Sequence, residues 1–275
     1  MPAYDAIVVG AGPNGLAAAL RLAEAGWSVC LLEAGEEVGG AARTVEATLP
    51  GFKHDFGAAF LPLAQVSPAL AGRDLGAYGL RLLHAPLAAA HPFPGNQAAA
   101  LARSADETAA SIDKLHHGDG QAWIGIDDDY GDLIELLLRA QMVRWPVMEV
   151  AAMARRLGGA QRAAEFVRVL LQGADVVARR FESEQARAFL VAPAMHADLA
   201  PEAPGTAVYA LLLHLLGQRH GMPVAEGGTG AVSAALAARL RAAGKTGKQA
   251  LVACMRKLLV ILNAILRDRK PWQPA

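Results

Sequence analysis

A three-glycine loop between an apolar strand and a helix constrains this chain more than any other feature. Residues 6–9, Ala-Ile-Val-Val, form a short apolar run suited to a strand buried on both faces, and Gly10-Ala11-Gly12-Pro13-Asn14-Gly15 follows at once. Residues 16–25 then read as a helix. Each glycine has a physical use in that order. Gly10 makes the tight turn, Gly12 lets the backbone approach a pyrophosphate, and Gly15 permits close helix–strand packing. The phosphates would meet the positive end of the helix, beside Pro13 and Asn14. After Gly26, residues 28–32 form a second strand, and Glu33 closes it 23 residues after Gly10. An acid there accepts hydrogen bonds from a ribose 2′-hydroxyl and disfavours a 2′-phosphate. An ordinary strand-turn-helix is the bland alternative; the ordered strand, loop, helix, strand and acid point instead to a bound dinucleotide.

The next residues favour FAD among dinucleotides. Glu33-Ala34-Gly35 runs into Val38-Gly39-Gly40-Ala41-Ala42-Arg43, a second glycine pair close behind the ribose acid, which NAD domains usually lack. The pair offers a second close backbone approach to the phosphates, with Arg43 as counter-charge. A plain loop is the alternative for Gly39 and Gly40.

Composition excludes little. Net charge is zero and 53% of residues are hydrophobic, so nothing global draws the chain to nucleic acid or an anionic membrane. The distribution of charge says more. Residues 245–275 carry seven basic residues and one acid, Asp268, while residues 1–244 hold 19 basic and 25 acidic, and four of the six lysines lie in the tail. Cys30 and Cys254 sit apart in apolar runs, which predicts two buried thiols in a reducing compartment. The start lacks the pattern of a signal peptide, no run reads as a membrane span, and a cytoplasmic location follows by default. Asp127, Asp128 and Asp129 lack partnered ligand spacing and read as a solvated turn or helix start, so no metal is assigned.

With Gly51-Phe52-Lys53-His54-Asp55-Phe56-Gly57 added, residues 3–244 resemble the phytoene-desaturase-like branch of the FAD-dependent amine oxidase superfamily. Further matching blocks are residues 106–111, Gly118-Asp119-Gly120, Ala194-Met195-His196-Ala197 and residues 223–230. The resemblance implies an oxidoreductase in which FAD takes hydride equivalents from, or isomerises, a small and hydrophobic substrate, with the flavin carrying the chemistry. It also implies that Gly57-Ala58-Ala59-Phe60 runs past the flavin ring. His54, Asp55, His196, His214 and His220 are the titratable candidates nearby, each with a core or turn role as its alternative; His196 is also a candidate for the substrate cavity. No catalytic acid or base is assigned.

The predicted fold is α/β: an incomplete Rossmann-like FAD-binding βαβ unit, a largely helical substrate portion and a terminal helix. Residues 1–74 form the FAD unit and flavin-side segment, 75–222 the helical portion, 223–244 a return to the FAD unit, and 245–275 a foreign tail. Helical spacing is clearest at 133–143, 150–157, 161–180 and 206–219. The tail, at about 244–272, is similar to the C-terminus of DEDD-type insertion-sequence transposases, which share a lysine-rich turn and a leucine-rich helix with Cys-Met-Arg-Lys-Leu-Leu. None of their acidic nuclease residues can be placed here. A truncated enzyme fused to this fragment is therefore expected, with a two-stranded sheet, open edges and weak or absent FAD retention. An inactive remnant is the alternative, and a non-specific DNA binder acting through the tail ranks last. The sequence does not give oligomeric state.

Overall fold

The computed structural model describes residues 4–141, 159–243 and 251–253. In chain order the elements are β1 Ala6–Val9, α1 Pro13–Glu24, β2 Val29–Glu33, β3 Thr44–Val45, β4 His54–Asp55, α2 Pro62–Val66, β5 Leu82–Leu83, β6 Leu87–Phe93 and β7 Gln97–Ala102. They continue as α3 Ala105–Asp113, α4 Asp119–Gln141, α5 Ala160–Leu171, α6 Ala174–Ala178, α7 Glu184–Val191, α8 Thr206–His220, β8 Val224–Ala225, α9 Gly230–Ala243 and β9 Leu251–Ala253. The chain is thus mixed α/β, and it divides into two compact units, one of residues 1–83 with 224–275 and one of residues 84–223.

The first unit is built on a parallel sheet in the order β1-β2-β9. Ala6 to Val9 pair with Val29 to Leu32, and Leu31 to Glu33 pair with Leu251 to Ala253. β2 buries Val29, Cys30, Leu31 and Leu32, as an inner strand should. Helices α1 and α9 share the core beneath it, where Leu16, Ala19 and Leu20 meet Val232, Ala235 and Leu236. Burial pushes the Cys30 thiol pKa up. Cys254 lies outside the described residues.

β9 corrects the expectation of a helical tail and a two-stranded sheet. Leu251-Val252-Ala253 falls inside the stretch predicted to be helical, yet it forms a third parallel strand. The unpaired edge of β2 supplies the reason, because its backbone groups gain ladder partners that a helix at 251–253 would leave unsatisfied. The rest of the predicted tail helix lies outside the described residues, as does the 150–157 segment.

The second unit encloses its own core. Trp123, Phe181, Ile112, Ile126, Leu190 and Leu211 are fully buried, and an antiparallel β6–β7 hairpin packs with helices α3 to α8. The hairpin lies in a region predicted to be mostly helical. Its alanine-rich strands carry little β-branched signal, although Pro94-Gly95-Asn96 turns the chain with positive φ at both Gly95 and Asn96. Asp127, Asp128 and Asp129 lie inside α4, rather than in a turn or at a helix start. Asp127 is held by Gln218 Nε2 at 3.3 Å and faces Arg219 at 3.6 Å, while Asp129 pairs with Arg180 at 2.6 Å. Burial raises the Asp127 pKa, with Arg219 opposing the shift and Asp128 and Asp132 adding to it. The predicted 161–180 helix is two helices, α5 and α6, separated at Gln172-Gly173. Among the described residues no helix is long and apolar enough to cross a membrane, and no group of three or more His, Cys, Asp or Glu could hold a metal ion.

Candidate cofactor site

The glycines of the first loop divide into those the fold itself requires and one it does not. Gly10 has φ +95°, a left-handed conformation that other side chains rarely adopt. A Cβ on Gly15 would run into the carbonyl oxygen of Gly10. Gly12 differs from both. Its φ of −71° and ψ of 173° suit any residue. A Cβ there would meet nothing nearer than Gly40 Cα at 3.8 Å and Gly39 O at 4.0 Å, both ordinary contacts. The chain alone gives Gly12 no reason to lack a Cβ, whereas a ligand lying against the loop does.

Gly12 also caps α1 without any side-chain hydrogen bond, and the first turn contains no acid. Pro13 fits the first turn because it has no N–H to satisfy. The amides of exposed Asn14 and of Gly15 therefore face outward at the positive helix end, free of any side-chain cap.

The second glycine loop folds onto the first. Gly39 N donates to Ala11 O at 2.9 Å, and a Cβ on Gly40, where φ is +52°, would lie 3.1 Å from Gly12 Cα. Glu33 closes the cradle from the end of β2. Its Oε2 accepts from Ala11 N at 2.6 Å, and its Oε1 accepts from Ala34 N at 2.8 Å and Gly35 N at 2.9 Å. Burial opposes its charge, but the Gly35, Ala11 and Ala34 amides and the Arg43 guanidinium together hold its pKa below the usual carboxylate value. A carboxylate oxygen accepts two hydrogen bonds, so Oε2 keeps one position for a hydroxyl donor.

Arg43 stands next to this cradle. Its guanidinium lies 5.0 Å from the centre of the Phe56 ring, and its Nε is buried with no hydrogen-bond partner. A buried, unpartnered guanidinium donor is costly unless something else accepts from it. Gly57 packs on the same stretch, since a Cβ there would meet Ala41 O at 3.0 Å; half-buried Ala58 follows, and then exposed Phe60. The cradle of Gly10, Gly12, Gly15, Glu33, Ala34, Gly39, Gly40 and Arg43 is thus a single cluster, with Gly57 against its far side.

Sequence reasoning missed the polar contacts that hold this cluster from behind. Thr44 Oγ1 donates to Asp55 Oδ1 at 2.7 Å, Thr229 N donates to the same oxygen at 2.7 Å, and Gly230 N donates to Thr44 Oγ1 at 2.9 Å. Ser233 Oγ reaches Ala42 O at 3.2 Å. The one available signal was the Gly227-Gly228-Thr229-Gly230 run, where Gly228 has φ +100° and lies against Thr44. The other titratable candidates have local partners or positions. His54 Nε2 lies 2.7 Å from Thr48 Oγ1, His220 faces Glu135 at 3.6 Å, and His196 is exposed. His214 is enclosed by Trp123 and Phe189 and donates Nδ1–H to Ala210 O at 2.9 Å.

The first unit and its cradle define a Rossmann-like dinucleotide-binding fold, and residues 8–71 match the family described as NAD(P)-binding Rossmann-like domain. The chain is 31% identical to the rat (Rattus norvegicus) pyridine nucleotide-disulfide oxidoreductase domain-containing protein 2, over 88% of this chain and 46% of that protein. It is 39% identical to (S)-6-hydroxynicotine oxidase of Paenarthrobacter nicotinovorans, over 36% of this chain and 26% of that one. Among solved structures, cyclohexylamine oxidase from Brevibacterium oxydans IH-35A superposes with a TM-score of 0.49 at 22% identity, covering 88% of this chain and 50% of that one. The chain therefore spans about half the length, or less, of the relatives it matches.

Proposed function

We propose that this chain is the cofactor-binding part of an FAD-dependent oxidoreductase acting on a small organic substrate. One observation carries the reading: Gly12 has room for a Cβ and a backbone conformation that any residue adopts, yet it carries no side chain and is faced by the second glycine loop. FAD is the cofactor. When bound, it supplies a group that accepts a hydride equivalent. Gly12 and Gly40 let the backbone approach the pyrophosphate, the α1 amides and Arg43 meet its charge, and Glu33 accepts from the ribose. The two relatives named as oxidoreductase and oxidase support the same class.

Within that class we read the chain as phytoene-desaturase-like, with a hydrophobic substrate, on the strength of the sequence blocks from residues 51 to 230. The transposase likeness of the tail is not carried into this reading, because residues 251–253 pair with β2 as part of the sheet. A second reading, a cofactor binder without turnover, is favoured by β1, where Ile7 is 64% and Val9 53% exposed.

Titration of the purified chain with FAD and NAD+, followed by flavin fluorescence and calorimetry, tests the proposal. FAD is expected to bind in one equivalent and more tightly than NAD+. Preference for NAD+, or no uptake of FAD, would remove it. Bleaching of the visible flavin band by a substrate without oxygen would separate the enzyme from the non-catalytic binder.

A further inference from the structure

We infer that Asp55 is a positioning residue for the cofactor cradle, acting through Thr44 and the start of α9 rather than as an acid or base. The inference rests on the FAD reading for its consequence, but its geometry is independent of it. Asp55 Oδ1 accepts two hydrogen bonds, from Thr44 Oγ1 and from Thr229 N, each 2.7 Å long. The Thr44 hydroxyl, having donated its one proton, accepts from Gly230 N at 2.9 Å. Three stretches distant in sequence are thereby locked at two side chains: β3, β4 and the first amides of α9. A carboxylate at those amides meets the positive helix end, so the contacts are charge-assisted.

The lock acts on Arg43 and the second glycine loop because both are joined to it directly. Arg43 precedes Thr44, and its carbonyl accepts from Phe56 N at 2.8 Å, next to Asp55. One residue earlier, Ala42 O receives Ser233 Oγ from the first turns of α9 at 3.2 Å. Gly228 completes the fit: with φ +100°, it brings the chain so close to Thr44 that a Cβ would lie 2.7 Å from Asp55 Oδ1. The position of the unpartnered Arg43 Nε is thus set from both sides of its backbone. Both donors to Oδ1 are structural, a side chain on β3 and a backbone amide at the start of α9.

The test uses the full chain with Asp55→Ala, Asp55→Asn, Thr44→Val and Thr44→Ser, read by amide hydrogen exchange and by FAD titration. Asp55→Ala should speed exchange at Thr229 and Gly230 and also across residues 39–43, and should raise the FAD dissociation constant about tenfold or more, as loss of a charge-assisted contact predicts. The visible circular dichroism of bound FAD should change with it. Asp55→Asn keeps an oxygen acceptor and should retain most of both properties, and Thr44→Ser should match the wild type. If Asp55→Ala fails to fold, Thr44→Val carries the same expectation. Unchanged exchange at residues 39–43 in Asp55→Ala, or in Thr44→Val, overturns the inference. Faster exchange there in a wild-type-fold protein that never takes up FAD keeps the lock and removes the cofactor reading instead.

Discussion

β1 and β2 are neighbours in one sheet, yet β2 buries Val29 to Leu32 while β1 leaves Ile7 and Val9 more than half exposed. The interior of the second unit resembles β2, with Trp123, Phe181 and Phe189 closed into one core. The contrast shows that the two parts of the chain are specified by different physics. The second unit is held by apolar burial, where the number and fit of large side chains decide stability. The cofactor unit has a smaller core under α1 and α9 and is specified by backbone geometry: left-handed glycines, close loop contacts and a few short hydrogen bonds. Burial constrains many residues loosely, whereas such geometry constrains few residues tightly.

The largest expected effect breaks the burial side of this contrast. Trp123 is fully buried and donates Nε1–H to Gln218 Oε1 at 3.0 Å. Trp123→Ala should lower unfolding stability by about 3–5 kcal/mol in urea titration, through a cavity and an orphaned amide oxygen.

The next effect comes from His214, whose pKa is pushed down to about 4 by burial, against the pull of the Ala210 carbonyl and with a further push from His91. Its folded pKa lies below its unfolded value of 6.5, so the unfolded chain takes up the proton first as pH falls. Stability should be full above pH 6.5 and drop by about 3 kcal/mol on acidification to pH 4. Melting temperatures of the wild type and His214→Leu across that range check this, the variant losing this part of the slope. A wild-type slope no steeper than the variant's would place His214 in water rather than in the core.

The exposed face of β1 should respond in solubility more than in stability. Ile7→Thr combined with Val9→Thr should cost less than about 0.5 kcal/mol while reducing light scattering and binding of apolar dyes. A large loss of stability would mean that these side chains are covered.

Much of the cofactor unit was legible in the sequence because its constraints are local. Gly10, Gly15, the α1 start at Pro13 and the acid at Glu33 are fixed by residues within one βαβ unit, and the structure places them together. What the sequence hid depends on contacts across the chain. Asp55 stood out in the sequence only as a titratable candidate, and its contacts with Thr44 and Thr229 exist only once β3, β4 and α9 meet. The β6–β7 hairpin was hidden by alanines with no strong strand preference, and the strand at residues 251–253 by an apolar run whose helical reading only pairing to β2 could overrule. The aspartates of α4 read as a solvated turn or helix start because three acids in a row suit solvent, whereas Arg180, Gln218 and Arg219 hold two of them inside a helix.

The smallest stability effect carries the most functional weight. Gly12→Ala and Gly15→Ala add the same methyl group to one loop, three residues apart. Measuring urea stability and FAD affinity for both separates what the fold needs from what a ligand needs. The account predicts that Gly15→Ala costs about 1–3 kcal/mol through its clash with Gly10. It predicts that Gly12→Ala stays within about 0.5 kcal/mol of the wild type while its FAD dissociation constant rises on the order of tenfold or more. Unchanged FAD affinity in Gly12→Ala would contradict it.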